Sequence, residues 1–460
     1  MTLITRLQQK LSSVLNSDTQ PIVVAYSGGV DSHVLLHALH TLRQNAQWPN
    51  PISAIHIHHG LSVNADSWLA HCQQVCTLLN IPLSYAKVAV CKNKRQSLEA
   101  QARDARYHAI AELAPANALI LLAQHEDDQL ETILLQLKRG AGPKGLAGMA
   151  ELNRPESEPA KSKALCYYRP FLQLSQRSIV DYAQQQDLLW VEDESNQNTD
   201  FERNFLRHQV LPLLNQKWPD LVKTAARSAK LCAEQQHLLD EVSAQKLADI
   251  QAEDASLHIQ PLLEMSNSWL HQVVRYWLQQ QHIPMPSQAI LQRLKPELLL
   301  SKMDANPIIQ WADWQFRRFD QRLFVIRSLP EIEPHSIRWS LHTPLTLPHQ
   351  LGTLERLVSD DINDHPAALW LSADVSELQL QFGGFAQRFK PADSAYSKPL
   401  KQWYKEWKIA PWQRSKIVLL SAHDGPVALL CEGRWIISQQ HQVQLNSTQT
   451  RPRIGIQYRV

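Results

Sequence analysis

Residues 22–32 read Ile22-Val23-Val24-Ala25-Tyr26-Ser27-Gly28-Gly29-Val30-Asp31-Ser32. The first four are apolar, three of them β-branched, and the run is too short for a helix, so it predicts a buried strand. From Val34 to Leu39 the apolar residues return at helical spacing, which predicts a helix. The segment therefore has the order strand, tight turn, helix, with two glycines in the turn.

The turn has the chemistry of a phosphate site. Gly28 and Gly29 lack a Cβ, so backbone N–H groups can turn toward an anion, and the next helix offers its unpaired amides and the positive end of its dipole. Ser27 and Ser32 add hydroxyl donors, and Asp31 is placed to hold Mg²⁺ against a polyphosphate. The turn fits neither G-x-x-x-x-G-K-[ST] nor G-x-G-x-x-G. An ordinary glycine turn is the alternative interpretation.

Length and composition limit the class of protein. A chain of 460 residues predicts two to four domains, and an apolar share of 44% supplies their cores. The formal net charge is only +2, so any basic surface must be local. The six cysteines form no C-x-x-C pair, which argues against a disulfide framework and a zinc ribbon and fits a reducing cytosol.

The N-terminal leucines, at positions 3, 7, 11 and 15, recur every fourth residue. This spacing predicts an amphipathic helix rather than a signal peptide. No run approaches the roughly 20 apolar residues that span a bilayer. We therefore expect a soluble, cytoplasmic protein without a membrane partner.

Strands and helices are predicted to alternate up to about residue 210. The predicted strands cover residues 22–25, 52–57, 83–90 and 118–123, and helical patterns separate them. Such alternation predicts a parallel sheet with crossover helices, in which ligands bind beyond the carboxyl ends of the strands. Three strand ends therefore matter: the glycine turn, His56 to Gly60, and Gln124 to Asp128.

The second strand end is rich in histidine. A metal site built from His56, His58, His59 and His71 is an alternative, but His59 points away from the face that His56 and His58 share, and no thiolate spacing accompanies them. We expect one of these histidines, His59, to face a nucleotide.

The third strand end brings acids and a histidine together. His125, Glu126, Asp127, Asp128 and Glu131 follow a buried strand where a helix begins. Acidic residues favour helix N-termini, which is the simpler interpretation. ATP chemistry, however, needs carboxylates for Mg²⁺ and a base for an attacking amine. The glycine-rich, basic segment 134–149 that follows is a mobile lid, a substrate-contacting loop or a linker.

These motifs resemble a known family. The string SGGVDS resembles the loop of the ATP pyrophosphatase (PP-loop) superfamily, whose members cleave ATP between its α- and β-phosphates and adenylate an oxygen of the substrate. The segments AQHEDDQLET and LKRGAGPKGLAGM, followed by residues 169–171, 190–196 and 203–207, are similar to the signature of the tRNA(Ile)-lysidine synthase family. Residues 153–163 read as a surface insertion between these blocks.

The resemblance implies a reaction in two steps. The C2 oxygen of the wobble cytidine in the CAU-anticodon isoleucine tRNA attacks the α-phosphate of ATP, and pyrophosphate leaves. The ε-amine of L-lysine then displaces AMP and gives lysidine, which pairs with A instead of G and changes codon reading from AUG to AUA. ATP and Mg²⁺ are the implied cofactors.

The resemblance also implies roles for particular residues. The expected ATP site comprises Ser27, Gly28, Gly29, Val30, Asp31, Ser32 and His59, and Asp31 holds Mg²⁺, with Asp127 or Asp128 as further candidates. The expected catalytic residues are Asp31, His125, Asp127, Asp128, Glu131 and Arg203. Among them, His125 or an acid accepts the proton of the lysine amine. The candidates that hold lysine are Glu131, Asp128 and Glu192. Arg203 neutralises the phosphoryl group or the lysine carboxylate, and a structural ion pair is its alternative role.

The expected fold class is α/β. A parallel-sheet PP-loop domain (1–210) is followed by a helical, tRNA-contacting middle domain (211–330) with helices over 221–250, 269–280 and 288–294. The basic and aromatic stretch 311–322 contacts RNA or forms a strand pair with solvated arginines. Residues 331–378 are expected to be a linker with strands.

The segment 379–460 is expected to be a small, basic α+β domain that binds tRNA. Basic residues and aromatics interleave between 388 and 416 with only two acids, which suits phosphate binding while the tryptophans mostly form a core. The candidate tRNA contacts are Arg388, Lys390, Lys398, Lys401 and Arg414. The stretch resembles the C-terminal domain of the family but lacks its glycines and its Lys-Lys pair at 394–402.

Three other functions are alternatives. A PP-loop tRNA thiolase needs a persulfide-bearing cysteine and usually has C-x-x-C pairs, and no such pair is present in the sequence. A synthetase or amidotransferase for a small metabolite leaves the basic C-terminal segment unexplained. An inactive RNA-binding protein would not keep both SGGVDS and the HEDD acids. The sequence pattern is compatible with a homodimer and does not specify the oligomeric state.

Overall fold

The computed structural model describes residues 2–45, 48–60, 62–88, 98–155, 160–302, 305–328, 332–348, 351–357, 365, 367–383, 387–447 and 453–459. The chain forms two compact units, Met1–Val242 and Ser243–Val460. Among the helices of the described ranges, none is long and apolar enough to cross a membrane.

A six-stranded sheet forms the centre of the first unit, in the order β3-β2-β1-β4-β6-β5. Its strands are β1 Ile22–Ala25, β2 Ile52–His58, β3 Leu83–Lys87, β4 Leu119–Leu121, β5 Leu152–Asn153 and β6 Cys166–Tyr168. Five strands are parallel, and β5 pairs with β6 in the antiparallel sense. The predicted parallel sheet is confirmed. The predicted end of the third strand, at Val90, lies outside the described residues.

Helices connect and cover these strands. They are α1 Leu3–Ser12, α2 Val30–Gln44, α3 Ala65–Leu78, α4 Leu98–Leu113, α5 Glu126–Lys138, α6 Pro143–Leu146, α7 Gln176–Gln185, α8 Glu202–Phe205, α9 Leu211–Lys217 and α10 Leu221–Ala248. A 3₁₀ turn spans Glu194–Gln197, and a π-helical turn, Leu206–Val210, joins α8 to α9.

The central strands β1 and β4 are buried on both faces, which explains their continuous apolar runs. Val24 packs on one face with Leu35 of α2, whereas Val23 packs on the other face with Ile110 of α4. All three valine and leucine side chains are fully buried, and each such burial contributes roughly 1.5–3 kcal/mol. A strand with a polar face could not occupy this central position.

The connections reverse direction at β1. From β1 the chain continues to β2 and β3 on one side and then returns to β4 and β6 on the other. In open parallel sheets such a reversal leaves a crevice at the carboxyl ends of the two central strands, and ligands bind there. The glycine turn after β1 and the acidic segment after β4 therefore meet at one crevice.

The second unit contains three small sheets and a two-stranded pair. Its helices are α11 Ile259–Glu264, α12 Asn267–Gln280, α13 Gln288–Arg293, α14 Leu400–Glu406, α15 Pro411–Arg414 and α16 Gln439–Ser447, with a π-helical turn at Leu294–Leu299. Its strands are β7 Leu257–His258, β8 Ile308–Trp311, β9 Trp314–Phe319, β10 Arg322–Arg327, β11 His335–Trp339, β12 Leu345–Thr346, β13 Thr353–Arg356, β14 Leu369–Ser372, β15 Leu378–Phe382, β16 Arg388–Phe389, β17 Lys398–Pro399, β18 Val418–Ala422, β19 Gly425–Cys431, β20 Arg434–Ile437 and β21 Arg453–Arg459.

The middle segment is not helical throughout. After α13 the chain forms an antiparallel sheet in the order β7-β10-β9-β8, and the basic stretch lies on its β9–β10 hairpin. The stretch therefore forms the predicted strand pair, but two of its arginines are bonded within the fold rather than solvated, and contact with RNA stays a prediction. Arg318 donates to the carbonyl of Leu299 at 2.9 Å and Arg322 pairs with Asp254 at 2.8 Å, so both guanidinium groups have partners within the fold.

Residues 331–378 do more than link two domains. Strand β11 pairs with β15, while β12, β13 and β14 form a sheet with the C-terminal β21. Leu354, Leu369 and Leu371 are fully buried and share one core with Leu380 and Leu420. The segment therefore contributes apolar side chains to the core of the C-terminal residues. Its many prolines had indicated a linker instead.

Candidate active site

The glycine turn is fixed by contacts that only glycine permits. Gly28 has a φ of +89°, and a Cβ there would lie 2.8 Å from Val191 Cγ2 and 3.0 Å from Cys72 Sγ. The backbone N–H of Val191 donates to the Gly28 carbonyl at 3.1 Å. The segment around residue 190, which is distant in sequence from the turn, therefore packs against the turn and fixes its backbone.

Two serines and a helix N-terminus shape the inner side of the turn. Ser32 Oγ accepts from the Ser27 N–H at 3.2 Å, donates to the Gly29 carbonyl at 3.0 Å, and lies 3.0 Å from Ser27 Oγ. Helix α2 begins at Val30, directly after Gly29, and no side chain caps it. Its first amides and its dipole are thus available to an anion.

His125 sits among three carboxylates at the end of β4. The side chain is almost completely buried, with Nε2 at 3.4 Å from Asp128 Oδ2 and 3.8 Å from Asp31 Oδ2, and Nδ1 at 3.5 Å from Asp127 Oδ2. Burial alone would lower the pKa of His125, but the interaction with Asp127 and the charges of Asp128 and Asp31 outweigh it and raise the pKa to about 9.

Asp31 has an oxygen without a hydrogen-bond partner. Its Oδ1 is buried and unpaired among the described residues, and burial raises the pKa of the carboxyl despite the nearby His125. A carboxylate oxygen is the ligand type that Mg²⁺ prefers. The described residues contain no group of three or more His, Cys, Asp or Glu arranged as a metal centre. Asp31 is therefore a residue here that could hold a magnesium ion.

Asp127 and Asp128 point in different directions. Asp127 Oδ2 accepts from the Gln176 N–H at the start of α7, at 3.1 Å, and this hydrogen bond, with the adjacent His125, lowers the pKa of Asp127 against the effect of its burial. Asp128 caps its own helix by accepting from the His125 N–H at 3.0 Å, and it lines the cavity described below. Of the two acids, Asp128 is the one that lines this cavity.

Glu131 is fully buried and held by an arginine. Arg207 donates from Nε to Glu131 Oε1 at 2.8 Å and from a terminal nitrogen to Oε2 at 3.1 Å, and it lies 3.3 Å from Asp128 Oδ1. Burial raises the pKa of Glu131, and the Arg207 charge opposes that rise. The sequence did not lead us to predict a role for Arg207. The available signal was its spacing, because a residue four positions after Arg203 in a helix lies on the same face as Arg203.

Arg203 lies close to this network. Its guanidinium donates to Thr132 Oγ1 at 3.0 Å. Arg203 also lines the cavity, as do Arg106, Tyr107, Asp193 and Phe201, none of which was singled out from the sequence. Asp193, rather than the candidate Glu192, is the acid of its motif that faces this space.

The cavity at the carboxyl ends of β1, β2 and β4 has a volume of about 620 Å³. The glycine turn, His59, Asp31 and Asp128 line it together with apolar side chains such as Trp68 and Leu122. The volume is in the range of ligand sites. His59 Nδ1 is buried and has no hydrogen-bond partner among the described residues, and burial, together with the charge of Arg106, lowers the pKa of His59 to about 4. A neutral imidazole therefore faces the space.

The five basic residues predicted to contact tRNA differ in their surroundings. Arg414 donates twice to the Ile409 carbonyl, at 3.1 and 3.0 Å, so its guanidinium is used within the fold. Lys398 pairs with Glu406 at 2.6 Å and lies 4.7 Å from the ring centroid of Trp403. Arg388 donates to the Ser397 carbonyl. Lys401 is exposed, and Lys390 is half-buried.

Models of three domains match this sequence: a PP-loop domain over residues 3–214, a TilS substrate binding domain over 257–324 and a TilS substrate C-terminal domain over 378–451. The tRNA(Ile)-lysidine synthase of Serratia proteamaculans is 42% identical over 411 residues, which cover 89% of this chain and 90% of that protein. The enzymes of the same name from Edwardsiella ictaluri and Vibrio vulnificus are 40% and 39% identical, over 89% of this chain and 90% and 91% of theirs.

Proposed function

The chain belongs to the tRNA(Ile)-lysidine synthase family, and from this premise we propose how its residues carry out the reaction. The protein is a ligase that forms lysidine on an isoleucine tRNA, with ATP bound in its PP-loop domain. The proposed substrate is the tRNA with the CAU anticodon, whose wobble cytidine receives L-lysine at C2. A cytoplasmic location, where ATP and tRNA meet, is part of the proposal.

The first proposed step is adenylation in the 620 Å³ cavity. The phosphates of ATP lie in the turn Ser27–Ser32, where the amides of α2 stabilise the charge that develops as pyrophosphate leaves. His59 faces the nucleotide as a neutral side chain. The observation that carries this step is the buried Asp31 Oδ1, which no described residue bonds, at a helix N-terminus that no described side chain caps.

Mg²⁺ is the proposed cofactor of this step. Asp31 is its protein ligand, and Asp128 is the second carboxylate within reach of the same space. A magnesium ion bound there would neutralise phosphate charge and orient the α-phosphate for attack. His125 is proposed to position these two carboxylates, since its Nε2 lies 3.4 Å from Asp128 Oδ2 and 3.8 Å from Asp31 Oδ2. Asp127, whose Oδ2 lies 3.5 Å from His125 Nδ1, is proposed to orient the imidazole.

The second proposed step is capture of lysine. Asp128 is the proposed acid for the lysine amine because it lines the cavity, although Arg207 and the His125 N–H contact its oxygens. The fully buried Glu131 does not line the cavity and is held through both oxygens by Arg207. Arg203 faces the same space and is placed to neutralise a phosphoryl oxygen or the lysine carboxylate. Glu131 is then a support for the site through Arg207.

The second unit is proposed to bind the tRNA. The segments that match substrate-binding models, 257–324 and 378–451, lie there. Among the five predicted contacts, the exposed Lys401 is the best candidate for a phosphate, and Arg388 and Lys390 are further candidates. Lys398 and Arg414 are more strongly committed to partners within the fold.

One experiment tests this function. The purified protein is incubated with ATP, Mg²⁺, labelled L-lysine and tRNA transcripts. Label is expected only in the CAU-anticodon isoleucine tRNA. Label in no tRNA, or equal label in a methionine tRNA with the same anticodon, would contradict the proposal.

A further inference from the structure

A second cavity adjoins the catalytic one and is lined by arginines. Its volume is about 500 Å³, and Arg103, Arg139, Arg169 and Arg203 line it. Arg203 lines both cavities. Tyr107 and Gln124 line the first cavity and accept hydrogen bonds from Arg169, which lines the second. The two spaces thus share a wall.

The charge of the second cavity is not balanced within the described part of the chain. Arg169 is 5% exposed, and its guanidinium donates to the carbonyl of Ala150 and to the neutral oxygens of Gln124 and Tyr107, at 2.7, 3.1 and 3.3 Å. No carboxylate of the described residues pairs with it. Glu202 is the one acid among the described residues that line the cavity, and it pairs with Lys138 and also interacts electrostatically with Arg139. A buried cation without a counterion is costly unless a ligand supplies the negative charge.

The other two arginines lie where the cavity meets solvent. Arg139 follows the end of α5 and is exposed, and Arg103 is exposed on α4 with its guanidinium 5.4 Å from the ring centroid of Tyr107. A small carboxylate needs one guanidinium fork. Four arginines that extend from a buried position to the surface suit a longer anion that enters from outside.

We propose that this arginine-lined cavity binds a backbone phosphate of the RNA strand that carries the reacting nucleotide. The proposal rests on the function proposed above, which places a polynucleotide at the neighbouring cavity. Phosphate contacts fix the position and register of a nucleic acid. A phosphate held by Arg103, Arg139 and Arg169 would position the strand so that its base enters the catalytic cavity past Arg203. The carboxylate of free lysine is the rival anion.

The test uses Arg103→Gln, Arg139→Gln and the double variant, with Arg177→Gln as control. Arg177 is equally exposed, on α7, and lines neither cavity. Affinity for the CAU-anticodon isoleucine tRNA is measured at several salt concentrations without lysine, and KM values for tRNA, lysine and ATP are measured separately.

We expect the double variant to bind tRNA about tenfold more weakly, with a salt slope reduced by about 0.7 for each lost phosphate contact. The KM values for lysine and ATP stay unchanged, and Arg177→Gln behaves like wild type. A higher KM for lysine at unchanged tRNA affinity would assign the cavity to lysine and overturn the proposal. A double variant that binds tRNA as tightly as Arg177→Gln would also overturn it. If wild type bound the tRNA but formed no lysidine, the proposed function would fail, while the binding comparison would still test this cavity.

Discussion

Gly28 is the residue at which the phosphate turn tolerates least change. At the positive φ of Gly28, a residue with a Cβ would reduce the stability of the fold by about 1–3 kcal/mol. The added Cβ would also overlap with Val191 and Cys72. Gly29 has an ordinary extended conformation, and a Cβ there would meet nothing closer than 3.6 Å. The two glycines therefore have different physical roles.

Gly28→Ala is expected to lower the melting temperature by several degrees, because strain and overlap add together. Gly29→Ala serves as the matched control and should melt close to wild type. Thermal unfolding of the two variants measures the difference. Equal melting temperatures would show that the turn does not depend on the conformation of Gly28.

Asp31→Asn is expected to abolish pyrophosphate release while leaving tRNA affinity within about twofold of wild type. Burial raises the pKa of Asp31, so its charged form costs stability at pH values above the ordinary carboxyl pKa. The nucleotide-free variant should therefore melt at the same temperature as wild type or higher. A collapse of tRNA binding, or a clearly lower melting temperature, would argue against a role confined to ATP and Mg²⁺.

At the scale of elements, α5 and the helical segment from α8 to α9 are joined by one buried ion pair. Arg207 lies in the π-helical turn between α8 and α9, and Glu131 lies on α5. Irregular helical turns of this kind often occur at functional sites. The pair holds α5 beside the cavity, and Arg207 also contacts the partly buried Asp128, which lines the cavity.

Arg207→Gln should lower the free energy of unfolding by about 3 kcal/mol, because it leaves Glu131 as a buried carboxylate without its counterion. This value is the low end of the range for a broken buried pair, and we choose it because the Arg207 side chain is 34% exposed. The double variant Arg207→Gln/Glu131→Gln should recover most of that loss, since the uncompensated buried carboxylate is gone. Urea unfolding gives both values. A neutral effect of Arg207→Gln would leave Glu131 free to serve as the lysine ligand.

The sequence predicted the elements around the site well, because their signals are local. The apolar run 22–25, the glycines and the helical spacing after them identify strand, turn and helix without reference to the rest of the chain. The partner of Glu131 could not be predicted, because Arg207 is distant in sequence and reaches Glu131 only once α8 and α9 pack on α5. The sheet formed by β7 to β10 could not be predicted for the same reason. Strand β7 is distant in sequence from the β9–β10 hairpin with which it pairs.

At the scale of the second unit, one tryptophan joins its two matched segments. Trp412 makes edge-to-face contacts with Phe319 and Phe324, at centroid distances of 6.0 and 5.3 Å, and lies 5.8 Å from the Arg317 guanidinium. Lys408 pairs with Asp320 at 2.9 Å beside it. These contacts hold the hairpin of one segment against helix α15 of the other, so the two form one surface.

Trp412→Ala is expected to weaken tRNA binding about tenfold. Without Trp412 the two segments are no longer fixed relative to each other, so they cannot bind one tRNA as a single surface. ATP binding in the first unit should not change. Tyr396→Ala removes an aromatic side chain that is 70% exposed and serves as the control. Filter binding of tRNA and nucleotide titration measure the two effects. An equal loss in both variants would mean that Trp412 does not act through the junction.

The central claim is that the cavity between β1 and β4 adenylates tRNA before lysine reacts. The most direct measurement is pyrophosphate release from ATP by wild-type protein with the CAU-anticodon isoleucine tRNA and without lysine. We expect a rapid burst that approaches one pyrophosphate per enzyme, requires the tRNA and is absent in Asp31→Asn. Release that needs lysine, or that proceeds equally without tRNA, would contradict the claim.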